Sequence, residues 1–261
     1  IIPPDQYFSV YLQVTRGCYW NRCTFCRLYK DRDYHIKDIQ EFKDHLNSVK
    51  EYFGSGLKSR RTVFLGDANA VNIDQKLLIS ILDTVKDDLG LPVYSFIDAI
   101  STQKKKGETD FEEMARHGLK RVYLGMESGS PEVLRLLNKL MNVSEAINMV
   151  NKIKSSGMDI GLIVMAGAGG KKYYGDHVES TASVISQMDL GKGDIIYISP
   201  IIEYEDAEYF KISGELGTLS DDEKEKQSED LKKSISEAFK DMNNREIGIP
   251  IVKYDLREAI Y

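Results

Sequence analysis

The sequence predicts an α/β fold built on parallel strands, and three observations predict it. Apolar, β-rich runs recur at 8–15, 62–66, 92–97, 121–125, 159–166 and 194–200. Several of them are continuous rather than alternating, such as "TVFL" and "IGLIVMA", the pattern of strands covered on both faces. Helical patterns with clear starts and stops separate the runs, and such alternation makes right-handed crossovers and a parallel sheet. Six units of this kind predict a partial (β/α)6, TIM-like barrel rather than a closed eight-stranded one.

The elements follow in order. The first strand runs straight into "TRGCYWNRCTFCRLY", which holds all three cysteines, Cys18, Cys23 and Cys26. A helix over 73–89 stops at Gly90. Ser130-Pro131 places a cap and then a proline at the first helical position. Ser144 caps a helix with Ile147, Val150 and Ile153 on one face, and Gly157 ends it. No repeat or low-complexity linker divides the chain, so residues 1–205 read as a core barrel and 206–261 as a C-terminal helical extension. Within the extension, "LSDDEKEKQSEDLKKSISEAFKDM" opens on a capping box, Ser220 with Glu223. Leu231, Ile235, Ala238, Phe239 and Met242 then form one apolar stripe, suited to docking on the barrel or on a partner. "IGIPIVKY", 247–254, reads as one more short strand.

The bulk numbers exclude several classes. The 261 residues are 42% hydrophobic and 29% charged, ordinary for a globular chain able to bury a core. A net charge of −6 argues against a nucleic-acid surface. The basic runs Lys58-Ser59-Arg60-Arg61 and Lys104-Lys105-Lys106 read as solvated faces, or as a site for an anionic substrate. No apolar run approaches the roughly 20 residues of a membrane span, and no signal peptide opens the sequence. Three cysteines, an odd number, make no disulfide framework, so a reducing cytoplasm is the expected location.

In a parallel α/β barrel, chemistry collects where strands end. The cysteine loop follows the first strand, Gly66-Asp67-Ala68 the second and Asp98 the third. Glu127 and Ser128 end the fourth, the loop 167–170 the fifth, and Glu203 follows the sixth. Three cysteines within nine residues leave four readings: a disulfide plus a free thiol, inert thiols, zinc completed by His35, or an iron–sulfur cluster on three thiolates. A four-iron cube on three cysteines keeps one iron without a protein ligand, and an open metal position is where an outside molecule binds.

"VTRGCYWNRCTFCRLYK", "VYLGMESGSPEVLRLLNK" and "IVMAGAGG" resemble the radical S-adenosylmethionine (SAM) superfamily, over about residues 5–205. The spacing differs in one respect: four residues, not the superfamily's usual three, separate Cys18 from Cys23, making a CX4CX2C variant. The resemblance implies a [4Fe–4S] cluster on Cys18, Cys23 and Cys26, with S-adenosyl-L-methionine chelating the open iron through its amine and carboxylate. It implies Phe25 beside the adenine, Gly66, Asp67 and Ala68 receiving the methionine amine, and Glu127 and Ser128 contacting ribose or carboxylate. Gly161, Ile163, Tyr197 and Ile198 would line the adenine pocket, and the superfamily's further glycine falls at Met165, where it is absent.

Each position has a plainer reading. Asp67 would cap a helix, Glu127 would pair with Arg121 or Arg135, and Gly161 would allow close packing. The loop 167–170 could cradle a phosphate, but it lacks the lysine of a P-loop, which argues against that reading. His45, His117 and His177 read as surface or packing residues.

The implied reaction is reductive cleavage of SAM to a 5′-deoxyadenosyl radical that abstracts hydrogen from a small-molecule substrate, in an anaerobic oxidoreductase, lyase or transferase. An electron donor such as flavodoxin or ferredoxin is the expected partner, with neither nucleic acid nor membrane. Because all three thiols would be ligands, no auxiliary cluster can be built from cysteines within these 261 residues, nor is there length for a cobalamin domain. Tyr29, Lys30, Arg32, Asp98 and Glu203 are the candidates to face substrate, and Tyr29, Tyr174 and Tyr197 to quench a radical. A non-catalytic zinc module on the cysteines and His35 is the alternative.

Overall fold

A computed structural model describes residues 2–99, 102, 105–139, 141–244 and 248–258. Its elements run β1 (Val10–Gln13), β2 (Thr15–Arg16), β3 (His35–Ile36), α1 (Ile39–Phe53), β4 (Val63–Gly66), α2 (Gln75–Leu89), β5 (Val93–Ile97), α3 (Glu108–Arg116) and β6 (Leu119–Glu127). Then follow α4 (Pro131–Leu136), α5 (Val143–Ser155), β7 (Asp159–Ala166), α6 (Tyr174–Ser186), β8 (Ile195–Pro200), α7 (Glu208–Leu216), α8 (Asp221–Asn243) and β9 (Ile251–Lys253). Strands β1 and β4 to β9 form one seven-stranded sheet in chain order. Every neighbouring pair in it is parallel.

The expected strands are present, with instructive differences. The first run breaks after Gln13: β1 pairs with β4, while β2 turns away to pair antiparallel with β3. The strand expected within 247–254 forms as β9, and it joins the sheet beside β8 although it lies in the extension. Ile247 and Lys104 fall outside the described residues. Helix α5 is capped by Asn142 rather than Ser144, because the Asn142 side chain accepts from the Ser144 and Glu145 amides. Ser130 and Ser220 cap α4 and α8 as their sequences require. Lys106 is not a solvated residue: it is buried and donates to the Ile73 carbonyl and to Gln75 Oε1, both at 2.8 Å.

Alternation along the strands builds two apolar layers. Val10, Leu12, Val63, Leu65, Ile160 and Ile196 face the helices in the main core. Full burial of each such side chain contributes about 1.5–3 kcal/mol. Their neighbours face inward and are mostly aromatic: Tyr11, Phe64, Phe96, Tyr123, Ile163 and Tyr197. Ring centroids of Phe64 lie 5.2 Å from Phe96 and 6.0 Å from Tyr123, within edge-contact range.

One carboxylate closes the base of this interior. Asp5, in a short 3-10 turn, accepts from the Tyr123 hydroxyl at 2.6 Å, the Tyr197 hydroxyl at 2.7 Å and Arg121 Nη1 at 2.7 Å. Helix α8 lies along α6, burying Leu231, Ile235 and Phe239, while Met242 is 59% exposed and ends the stripe. The same helix buries Lys224 and Gln227, whose polar ends reach the strand ends described next.

Candidate active site

The loop between β2 and β3 carries the thiols at the C-terminal rim of the sheet. It is pinned against the end of α4 at four points. Thr24 donates from its amide to the Leu137 carbonyl at 3.1 Å and from its hydroxyl to the Leu136 carbonyl at 2.9 Å. Asn138 Nδ2 donates to the Arg22 carbonyl at 2.8 Å, and Trp20 Nε1 donates to the Asn138 carbonyl at 2.9 Å. Trp20, which lies between Cys18 and Cys23, thus braces the loop against the turn after α4. Cys23 and Cys26 open on one cavity of about 590 Å³, which Arg27, Lys30 and Arg32 also line. Burial pushes the Cys23 thiol up to about 11, against the opposing pull of Lys139, and raises Cys26 as well.

Asp67 sits beneath this loop, 5% exposed, just past the end of β4. Its carboxylate accepts from the Tyr11 hydroxyl, from the Gly17 amide at 2.8 Å, and from Gln13 Nε2 at 3.3 and 3.4 Å. Its own amide donates to the Thr15 carbonyl at 2.9 Å. Tyr11 lies so close over Gly66 that a Cβ there would overlap the phenol ring.

Glu127 ends β6 with φ 62°, a left-handed conformation that costs a non-glycine residue roughly 1–2 kcal/mol. Its Oε1 accepts from Lys139 Nζ at 2.8 Å, over Gly125, where a Cβ would come 3.1 Å from that ammonium. Burial disfavours the Lys139 charge, but the Glu127 carboxylate and the Cys23 sulfur outweigh it and hold the ammonium above the usual lysine range. Arg121 is taken by Asp5, and Arg135 by Glu132 at 2.9 Å, so neither is the partner of Glu127.

Next to Glu127, the Ser128 hydroxyl meets His177 Nδ1 at 2.8 Å, and His177 Nε2 meets the Met165 carbonyl at 2.9 Å. The ring is fully buried, and burial pushes its pKa down to about 4. A histidine depressed below its unfolded value of about 6.5 stabilises the fold above that value and loses the contribution as pH falls through 4, here about 3 kcal/mol. Urea unfolding between about pH 7.5 and 4.5 will show wild type losing more stability than His177→Gln. Equal losses in both would remove His177 from this account.

The profile of the Radical SAM superfamily matches residues 12–184. This chain belongs to the Radical SAM superfamily. Among curated relatives, 4′-phospho-dehydrooxetanocin synthase of Priestia megaterium is 22% identical over 201 residues, 69% of this chain but 27% of that enzyme. The radical SAM chain thus spans about a quarter of the curated relative that it matches. Among solved structures, methylornithine synthase (PylB) has a TM-score of 0.60 at 17% identity, covering 95% of this chain and 73% of its own. Coproporphyrinogen III oxidase (HemN) from Escherichia coli has a TM-score of 0.61 at 11% identity, covering 88% and 52%. Membership makes the chain an enzyme of the radical SAM class and implies SAM and a [4Fe–4S] cluster.

The donor set of this radical SAM protein fits such a cluster in chemistry. It offers three half-buried thiols on one loop, one fewer than a closed tetrahedral site needs. Among the described residues no three His, Cys, Asp or Glu side chains converge on one point. Binding of the cluster would draw the three ligands together as thiolates. His35 does not complete a zinc set, since its Nε2 faces Glu41 at 3.1 Å.

The remaining candidates fall into two groups. Around the rim lie Phe25, packed against the apolar cluster that includes Val133, Leu137 and Met165, half-buried Ala68, and Tyr29, whose phenol burial and Asp67 hold above its usual range. Asp98 is there too, half-buried and accepting from Asn69 Nδ2. Lys30 and Arg32 stay on the exposed side of the loop, Lys30 donating to the Asn21 carbonyl at 2.7 Å.

The second group is engaged elsewhere. Gly161 lies under the Tyr123 ring, five residues before β7 ends. Ile163 faces the interior two rungs above it, Tyr197 points its hydroxyl at Asp5, and Ile198 faces the outer core. Glu203 is tied to Lys224, and Tyr174 donates to Asp230 at 2.7 Å on the outside of the barrel. The glycine loop holds no phosphate cradle: the Gly167 amide donates to Gln227 Oε1 at 2.6 Å and the Gly169 amide to the Tyr209 hydroxyl at 2.8 Å. Sequence reasoning missed Lys139, Tyr11 and Gln13. Only for Tyr11 and Gln13 was there a signal, the alternation of β1 that turns both inward.

Proposed function

We propose that this chain is a radical SAM enzyme that holds a [4Fe–4S] cluster on Cys18, Cys23 and Cys26, binds S-adenosylmethionine at the open iron, and abstracts hydrogen from a small-molecule substrate. When bound, that pair would supply reductive cleavage of the sulfonium and a 5′-deoxyadenosyl radical. The supporting observation is the ligand count: three thiols on one rim loop, in a chain whose family profile spans 12–184. Lys139 brings a fixed positive charge to the rim, suited to a carboxylate such as the cofactor's, and Glu127 keeps that ammonium in place. Phe25, packed against an apolar cluster, offers an apolar wall for a flat base. The aromatic interior below excludes water from the reacting centre.

A low-potential donor such as flavodoxin or ferredoxin completes the reading. Exposed Arg16, Arg22, Arg27, Lys30 and Arg32 all lie on or beside the thiol loop of a chain whose net charge is −6, which favours an acidic electron carrier. Among the described residues, no helix is long and apolar enough to cross a membrane.

The deciding experiment gives anaerobically reconstituted protein dithionite and S-adenosylmethionine. The expected product is 5′-deoxyadenosine, absent from Cys26→Ala. A colourless protein carrying one stoichiometric zinc and yielding no 5′-deoxyadenosine would sink the reading and leave a metal-binding module.

A further inference from the structure

We propose that Asp67 is a positioning residue that holds the cysteine loop from beneath, and that its carboxylate does not receive the cofactor's amine. The inference rests on the cluster reading above. Both carboxylate oxygens are already engaged. Oδ1 accepts from the Tyr11 hydroxyl and Oδ2 from the Gly17 amide at 2.8 Å, with Gln13 Nε2 reaching both at 3.3–3.4 Å. The residue is only 5% exposed, so solvent has little access to compete for these donors. Gly17 directly precedes Cys18, so one carboxylate links the end of β4 to the residue beside the first thiol.

The donors are themselves immobile. Tyr11 stacks on Phe64 at 6.5 Å between centroids and covers Gly66. Gln13 is the last residue of β1, and its backbone N–H donates to His45 Nε2 at 3.0 Å. The Asp67 amide returns to Thr15 O at 2.9 Å and to Thr15 Oγ1 at 3.1 Å, closing a ring of contacts through β1, β2 and β4. Metal ligands held by such outer partners typically lose about 10–100-fold in metal affinity when a partner is removed. A carboxylate turned toward the cofactor would leave the Gly17 amide and the Tyr11 hydroxyl buried without acceptors.

Tyr11→Phe and Asp67→Asn separate the two roles. Tyr11→Phe keeps the ring over Gly66 and removes one donor, at a residue the amine-receptor role does not involve. Asp67→Asn keeps the shape and sets an NH2 group against donors. Three quantities are read on reconstituted protein: the rate of iron loss to a chelator, the change in the reduced cluster's EPR spectrum on adding S-adenosylmethionine, and the melting temperature of the metal-free chain. Both variants are expected to lose iron about 10–100-fold faster than wild type. The double variant should be no worse than Asp67→Asn, because the residues act as one unit. The SAM-induced spectral change should persist in whatever fraction stays loaded.

Wild-type iron retention in Asp67→Asn with the spectral change abolished would make Asp67 a cofactor ligand and overturn the proposal. Wild-type retention in Tyr11→Phe overturns it too, and that variant carries the test alone should Asp67→Asn fail to fold. A wild-type chain that takes up no iron refutes the cluster reading instead. Iron uptake by wild type with unchanged retention in both variants refutes only the positioning role.

Discussion

Cys23→Ala, reconstituted anaerobically with iron and sulfide, will hold well under the about four irons per chain expected of wild type, and will lose the brown colour of the cluster. Its metal-free form will unfold within about 0.5 kcal/mol of wild type. The contrast follows from where the thiol sits. Cys23 is half-buried in a cavity wall and belongs to none of the apolar clusters, so its removal empties no core. The loop is held by hydrogen bonds of Thr24, Trp20 and Asn138 that do not involve the sulfur. Alanine takes away a ligand and nearly nothing else. Iron analysis and a urea titration on the same preparation check both halves. Full iron loading of the variant would exclude Cys23 as a ligand, and a large loss of stability would make it a structural residue.

Lys139→Met will lower the unfolding free energy by about 3 kcal/mol, because it leaves the Glu127 carboxylate buried without its cation. Glu127 is 9% exposed on its side chain and Lys139 20%, which keeps the figure at the lower end for a broken buried pair. The double variant Glu127→Gln, Lys139→Met will recover most of the loss, since the unpaired charge is then gone. Chemical unfolding of the two singles and the double gives the coupling directly. Additive losses would show that the two side chains do not act as a pair. The same cycle repeated at high salt should change little, because the two side chains are only 9% and 20% exposed.

Much of this architecture is legible in the chain, and the parts that are not share a cause. The continuous runs "TVFL" and "IGLIVMA" announce strands covered on both faces, and Ser130-Pro131 announces a helix start, because periodicity and capping are local properties. The thiol loop is placed at the rim by its position after the first strand alone. What fails is the choice of partner over long separations. Glu127 offered two arginines in sequence, yet both are captured elsewhere and Lys139 arrives from the turn after α4. Asp67 read as an acid for a cofactor amine, and nothing local announced that Tyr11, 56 residues earlier, donates to it. Tyr197 alternates inward as expected, but the direction of its hydroxyl along the barrel is set by Asp5, 192 residues away. His177 looked idle at the start of α6, yet it bridges Ser128 and the Met165 carbonyl because two loops converge on it.

The Asp5 closure has a mechanical consequence. One carboxylate in the first turn takes hydrogen bonds from Arg121 and Tyr123 on β6 and from Tyr197 on β8. These partners lie 116, 118 and 192 residues further along the chain. Spreading β6 from β8 at that end therefore breaks hydrogen bonds to residue 5, and the amino-terminal turn acts as a clasp on strands laid down long after it.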